Sequence, residues 1–222
     1  VSMEALSRLY HPKLGWISPE LFIRLSMKND WIFELMKHQL HKICRFLKEN
    51  EEVLAGINNV KINISPKELT RKRYCENLIA IIRSNGLSPE KFQFEITETC
   101  AANYSKELED CILMLENAGI TLCLDDFGCG YANLERILHL PFSVIKMDRS
   151  LLHNIGINPR TTMFYESMVK TLHHCGYQIV SEGVETRREV EVLENCKVDM
   201  IQGYYYAKPM PGHEILEKLR KS

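Results

Sequence analysis

The sequence predicts an α/β fold in which parallel strands alternate with covering helices. Three observations carry that prediction. Short apolar runs alternate with amphipathic stretches, and several of those stretches stop at a glycine: Gly86, Gly119 and Gly176. Each apolar run ends in a polar or charged residue, where reactive groups collect in parallel α/β folds. The composition, 45% hydrophobic and 26% charged, is ordinary for a globular chain.

Taken in order, the opening stretch VSMEALSRL reads as a strand ending near Glu4 to Arg8, broken by His11-Pro12 and Gly15. Ser18-Pro19-Glu20 has the form of an N-cap with proline at the first helical position. A long amphipathic helix from about Asp30 to Asn50 follows, with Ile32, Leu35, Met36, Leu40, Ile43, Phe46 and Leu47 at helical spacing. His38 and His41 lie on it three apart, a spacing that suits ligands but also two solvated side chains. Strands are then expected at Val60–Ser65, Phe92–Thr97, Ile120–Leu124, Ser143–Met147, Tyr177–Ser181 and Val198–Ile201. Helices are expected at Tyr74–Asn85, Lys106–Ala118, Asn133–Leu138 (short), Thr161–Cys175, Arg187–Asn195 and Gly212–Lys221. Such alternation means parallel strands with helices between them.

That makes seven strands; a closed eight-strand barrel needs one more, and a doubly wound open sheet does not. Because the chain starts inside an apparent strand unit, the eighth strand is expected upstream of Val1. With no low-complexity segment and no Ser- or Pro-rich linker, the 222 residues are expected to form one domain. The net charge of −1 argues against binding long nucleic acid by electrostatics. No apolar run approaches the roughly 20 residues needed to span a bilayer, so membrane insertion is not expected. The eight cysteines lie mostly within apolar patterns and form no Cys-x-x-Cys pair, which suits buried thiols in a reducing compartment. Cys129 is the exception, between Gly128 and Gly130.

The chemistry concentrates at the strand ends. Asp125 and Asp126 are adjacent anions, which repel unless a cation or basic partner neutralises them. The alternative is a solvated turn in which one aspartate caps the next helix. The other strand ends carry Glu4, Asn63, Glu95, Lys146, Glu182 with Glu185, and Gln202. Polar groups at so many strand ends are costly unless they share one wet or metallated site. Glu4, Glu95, Asp125, Asp126, Glu182 and Asn63 make an oxygen-rich set that suits Mg²⁺ or Mn²⁺ rather than Zn²⁺. More acid than one cation needs suggests two metals about 3.5–4 Å apart sharing a bridging aspartate, as in phosphodiester hydrolysis. Lys146 would hold the nucleophilic water or offset developing charge, or else serve as an ion-pair partner.

In this order and spacing the motifs resemble the EAL-domain family, phosphodiesterases of the bacterial second messenger cyclic di-GMP. They are Glu4-Ala5-Leu6 with Arg8, Asn63-Ile64-Ser65, Glu95-Ile96-Thr97-Glu98, Asp125-Asp126-Phe127-Gly128 with Gly130-Tyr131, Lys146-Met147-Asp148, Glu182-Gly183-Val184-Glu185, and Gln202-Gly203-Tyr204-Tyr205. The resemblance implies a TIM-like (β/α)8 barrel of EAL type, lacking its first, antiparallel strand here. It implies one metal on Glu4, Asn63, Glu95 and Asp125, and a second on Asp125, Asp126 and Glu182. Lys146 would position the water, so that Asp125, Asp126, Lys146 and Glu182 carry catalysis. Glu98 would brace the loop after the acid pair, a loop tied to dimerisation. Arg8 and Leu6 would contact substrate, Arg8 at a phosphate, and Glu185 and Gln202 would support the substrate site. The product would be linear pGpG. A homodimer, linkage to sensor or diguanylate cyclase modules, and a bacterial cytoplasmic location are further implications.

Four departures from the family pattern stand out. The Gln-Pro-Ile strand before Glu4 is absent, the Trp after Arg8 is Leu9, the Thr between the loop glycines is Cys129, and the Asp before the Lys146 strand is Ser143. None removes a metal ligand, but Leu9, Cys129 and Ser143 fit a second reading, a cyclic di-GMP receptor that does not hydrolyse. A third reading, Asp126-Phe127-Gly128 as a kinase metal motif, lacks the Gly-rich loop and the His-Arg-Asp loop a kinase needs.

Overall fold

The structure, a computed structural model, describes residues 1–65, 68–98, 105–129 and 138–221. They fall into two compact units. One comprises Val1–Phe94, Ser105–Ile120 and Met210–Ser222, the other Glu95–Tyr104 and Thr121–Pro209.

In the first unit, β1 (Met3–Glu4) is followed by an antiparallel hairpin of β2 (Leu9–His11) and β3 (Gly15–Ile17). β4 (Val60–Asn63) pairs parallel with β1, with Met3 opposite Val60 and Glu4 opposite Lys61. The opening strand is therefore shorter than the sequence suggests. His11, Pro12 and Gly15, which read as breakers, lie on the hairpin and its turn, where Gly15 takes φ +73°. Helix Pro19–Lys28 starts after Ser18 with proline in its first turn, as expected. The long amphipathic segment forms helix Ile32–Glu49, whose Ile32, Phe33, Met36, Leu40, Cys44 and Leu47 are buried at helical spacing. His38 and His41 are exposed on it. Helices Lys72–Ser84, Lys106–Asn117 and Gly212–Arg220 complete the unit. The Ser105 hydroxyl caps Lys106–Asn117 by accepting from the Leu108 N–H.

β5 (Phe92–Thr97) begins in the first unit and ends in the second. In the second unit β6 (Thr121–Phe127), β7 (Val144–Met147), β8 (Gln178–Ser181) and β9 (Met200–Ile201) pair parallel in sequence order. Helix Pro159–His174 makes the crossover from β7 to β8, and helix Arg187–Asn195 that from β8 to β9. β6, β7 and β8 are buried along most of their length on both faces, which is why they read as near-continuous apolar runs. Cys123, Val144 and Val180 form a buried cluster with Met200 packed against it. Tyr165 is buried and donates from its hydroxyl to Ser181 Oγ at 2.9 Å, so the helix is keyed to β8 by a satisfied polar contact.

β6 is longer than the apolar run that announces it and continues through both aspartates. Of the expected short helix Asn133–Leu138, all but Leu138 lies outside the described residues, as do Cys100, Gly130 and Tyr131. The remaining seven cysteines are free thiols: Cys44, Cys75, Cys111, Cys123 and Cys196 are buried, Cys129 and Cys175 exposed.

Candidate active site

Strand side chains alternate between faces, so two adjacent acids on a regular strand would point opposite ways. β6 avoids this by losing regularity: its register with β7 shifts between Leu124 and Phe127, and Asp126 takes φ +58°. The Asp126 N–H donates to Asp125 Oδ1 at 3.0 Å, which locks the turn between the two. As a result one carboxylate oxygen from each of Asp125, Asp126 and Glu182 lies within 4.8 Å of the others. Burial and the neighbouring charge of Asp125, in that order, push the Asp126 carboxyl above its ordinary pKa. The strain is electrostatic, and a divalent cation would relieve it.

Lys146 stands on β7 with its side chain 1% exposed, and its Nζ reaches Glu95 at 2.9 Å, Asp125 at 3.0 Å and Glu182 at 2.6 Å. A buried ammonium costs several kcal/mol unless its protons are met, and three carboxylates meet them here. One lysine against Glu95, Asp125, Asp126 and Glu182 still leaves the cluster negative. Glu95 is sealed at 0% side-chain exposure while Glu182 keeps 18% and Asp126 is exposed, so the cluster opens to solvent on the side of Asp126 and Glu182.

The surrounding loops hold these groups in place. Buried Glu98 accepts from the Gly128 N–H at 2.9 Å, fixing the turn that follows the acid pair. Gly128 has φ +98°, a conformation that favours glycine, and a Cβ there would sit 2.7 Å from Leu151 Cδ1, so the leucine would have to shift. After β8, Glu185 pairs with Arg149 at 2.9 Å. Gly183 (φ +70°) lies so close to that arginine that a Cβ would come within 2.6 Å of Arg149 Cβ. Gln202 donates its N–H to the Ser181 carbonyl at 2.8 Å and accepts from the Val184 N–H at 3.1 Å, tying the end of β9 to the segment bearing Glu182 and Glu185.

In the first unit Asn63 Nδ2 donates to Glu4 Oε1 at 3.0 Å, so two expected ligands from distant sequence positions touch. Arg8 is exposed and donates to the Ser7 carbonyl at 2.9 Å, and Leu6 is exposed beside it. Three positions went unnoticed in the sequence. Arg149 has no motif of its own, and Lys61 lies within the apolar run of β4. Glu68 reads as a solvated turn residue, yet it is buried, accepts from Tyr74 Oη at 2.5 Å and from the Ser65 N–H at 2.8 Å, and burial pushes its pKa up to about 7. Burial beside Tyr74, six residues on, makes that environment, and spacing alone does not show it.

A family profile described as the EAL domain matches residues 1–209. The chain is 30% identical over 217 residues to the cyclic di-GMP phosphodiesterase RocR of Pseudomonas aeruginosa, covering 98% of this chain and 55% of RocR. It is 28% identical to the oxygen sensor protein DosP of Escherichia coli, covering 96% of this chain and 27% of DosP. It thus spans about half of the first relative and about a quarter of the second. Among solved structures, a PaMucR phosphodiesterase in complex with c-di-GMP superposes with a TM-score of 0.86 at 26% identity, covering 96% of this chain and 86% of that one. The fold class read from the sequence, an α/β TIM-like barrel of EAL type, is the one these structures share.

Proposed function

The chain belongs to the EAL-domain family, and on that premise we propose that it hydrolyses cyclic di-GMP to linear pGpG with the help of divalent cations. The observation that carries this reading is the convergence of Asp125, Asp126 and Glu182 within 4.8 Å at an irregularity of β6. Relatives named for cyclic di-GMP phosphodiesterase activity support it.

The donor set fits a hard divalent cation: it is all carboxylate oxygen, partly buried, net negative and open on one side. Asp125, Asp126 and Glu182 would hold one ion. Glu95 and Asp125, with Glu4 and Asn63 which the family motif also counts as ligands, would hold another. Mg²⁺ or Mn²⁺ supplies Lewis acidity, lowering the pKa of water and offsetting charge on the phosphate. The protein's own share is positional. Lys146 holds Glu95, Asp125 and Glu182 together and would position the attacking water, and Glu182 is the most solvent-facing of these three. Glu98 keeps the turn after Asp126 in shape. Arg8 supplies an exposed guanidinium for a phosphate, with Leu6 beside it, and Glu185 and Gln202 support the rim on the substrate side.

We further propose that residues 1–222 act as one EAL domain, that it works as a homodimer in the bacterial cytoplasm, and that sensor or diguanylate cyclase modules regulate it. The length of its relatives supports the last point, since MucR is named as a bifunctional diguanylate cyclase and phosphodiesterase. Among the described residues no helix is long and apolar enough to cross a membrane. A receptor without turnover is the second reading, favoured by Leu9, Cys129 and Ser143 at three positions where the family pattern differs. Incubation with cyclic di-GMP in Mg²⁺ or Mn²⁺, followed by chromatography, separates the two. Accumulation of pGpG that stops on chelation supports hydrolysis, and tight binding with intact ligand supports the receptor.

A further inference from the structure

Arg149 lies against the segment that carries Glu182 and Glu185. It follows Asp148 just after β7 and opens a single helical turn, Arg149–Leu152. The Asp148 carboxylate caps that turn by accepting from the Ser150 N–H at 2.7 Å, which fixes the backbone from which the arginine departs. Its side chain then runs beside Gly183. A Cβ built on that glycine would lie 2.6, 2.7 and 2.8 Å from Arg149 Cβ, Cγ and Cδ, so the hydrocarbon stem occupies the space a side chain would need. Beyond the stem, Nη1 reaches Glu185 Oε1 at 2.9 Å. The residue before Gly183 is Glu182, whose N–H donates to the Met147 carbonyl at 3.1 Å and whose carboxylate meets Lys146 at 2.6 Å. One arginine thus touches the turn that sets Glu182 and the carboxylate of Glu185. With side-chain exposures of 64% and 41%, the Arg149–Glu185 pair adds little to stability, so so close a fit is better explained by placement.

We propose that Arg149 is a positioning residue with two separable parts. Its stem, laid along Gly183, sets the direction of Glu182 in the acid centre, and its guanidinium sets Glu185 at the substrate rim. The proposal deepens the proposed function and rests on its assignment of Glu182 to a divalent cation and Glu185 to the substrate side.

Three variants of the full chain separate the parts. Arg149→Met keeps an unbranched stem and loses the charge, Arg149→Ala loses both, and Arg149→Lys keeps both. Mn²⁺ affinity is read by electron paramagnetic resonance without nucleotide, and cyclic di-GMP affinity by titration calorimetry in Ca²⁺. Arg149→Met should bind Mn²⁺ like wild type and weaken cyclic di-GMP about fivefold, the upper end of what an exposed ion pair contributes. Arg149→Ala should also weaken Mn²⁺ about tenfold, the scale on which loss of a group that orients a metal ligand is felt. Arg149→Lys should keep Mn²⁺ affinity and recover most of the cyclic di-GMP affinity. Because the arginine is largely exposed, the melting temperatures of Arg149→Met and Arg149→Lys should stay near wild type, which separates placement from folding. Equal Mn²⁺ affinity in Arg149→Ala and wild type overturns the role of the stem, as does an equal loss in Arg149→Met and Arg149→Ala. Unchanged cyclic di-GMP affinity in Arg149→Met overturns the role of the guanidinium. A protein that shows these shifts yet releases no pGpG in Mg²⁺ would sink hydrolysis and leave the positioning role standing, whereas turnover with all three variants like wild type would do the reverse.

Discussion

Two residues decide opposite properties of the molecule. Asp125 sits among the charged groups of the centre: it pairs with Lys146, neighbours Asp126 and accepts the Asp126 N–H. Asp125→Asn keeps the shape and removes the charge, so turnover should fall by at least about 10²–10³-fold, the scale seen when one electrostatic group of a site is lost. Near-normal steady-state rates in that variant would refute the bridging role. Glu68 matters for stability instead. Its folded pKa, about 7, lies above that of an exposed glutamate because burial disfavours the anion. The folded state therefore binds the proton more tightly, and this group's contribution is fullest below the unfolded pKa and is lost as pH rises through 7. Glu68→Gln should gain stability relative to wild type at pH 8, on the order of 2–3 kcal/mol at most, and gain little at pH 5. Denaturant melts at the two pH values check this, and an equal effect at both would contradict it.

At the level of elements, the segment between β8 and helix Arg187–Asn195 carries Glu182 and Glu185 and has little core of its own. It is held from the helix end by a capping box. The Thr186 hydroxyl accepts from the Glu189 N–H, while Glu189 Oε2 accepts from the N–H groups of both Thr186 and Glu185. Thr186→Ala should cost about 1 kcal/mol in chemical denaturation. Because the same box steadies Glu185, the change should also raise KM for cyclic di-GMP more than it lowers kcat. An unchanged KM would mean that the cap and the substrate rim are independent. Elements were also the most legible part of the sequence. Helix Ile32–Glu49 and strands β4 to β8 follow from periodicity and from the glycines that close the helices. The hairpin Leu9–Ile17 did not, since two three-residue strands offer too short a pattern to register, and its turn residues read only as breakers. The extension of β6 through Asp125 and Asp126 was illegible for a different reason. A bulge places acids within a strand where alternation alone would end it.

For the whole molecule, the separation of roles follows the strand ends. One rule, that the strands of a parallel α/β fold end at the chemistry, picks out residues scattered from Glu4 to Gln202. The structure brings Glu95, Asp125, Asp126, Lys146 and Glu182 together in one unit and joins Glu4 to Asn63 in the other. Which lysine neutralises which acid was beyond the sequence, because burial and distance set it. If the centre is built for small hard cations, Ca²⁺ should support turnover poorly compared with Mg²⁺ or Mn²⁺, because its looser coordination fits a compact carboxylate set less well. Equal rates in Ca²⁺ would count against the assignment. The most direct test is hydrolysis of cyclic di-GMP in ¹⁸O-enriched water with Mg²⁺ or Mn²⁺, read by mass spectrometry. The account predicts linear pGpG carrying one ¹⁸O in its 5′-phosphate and no product once the cation is chelated. Unlabelled product, or bound cyclic di-GMP that stays intact in saturating metal, would contradict it.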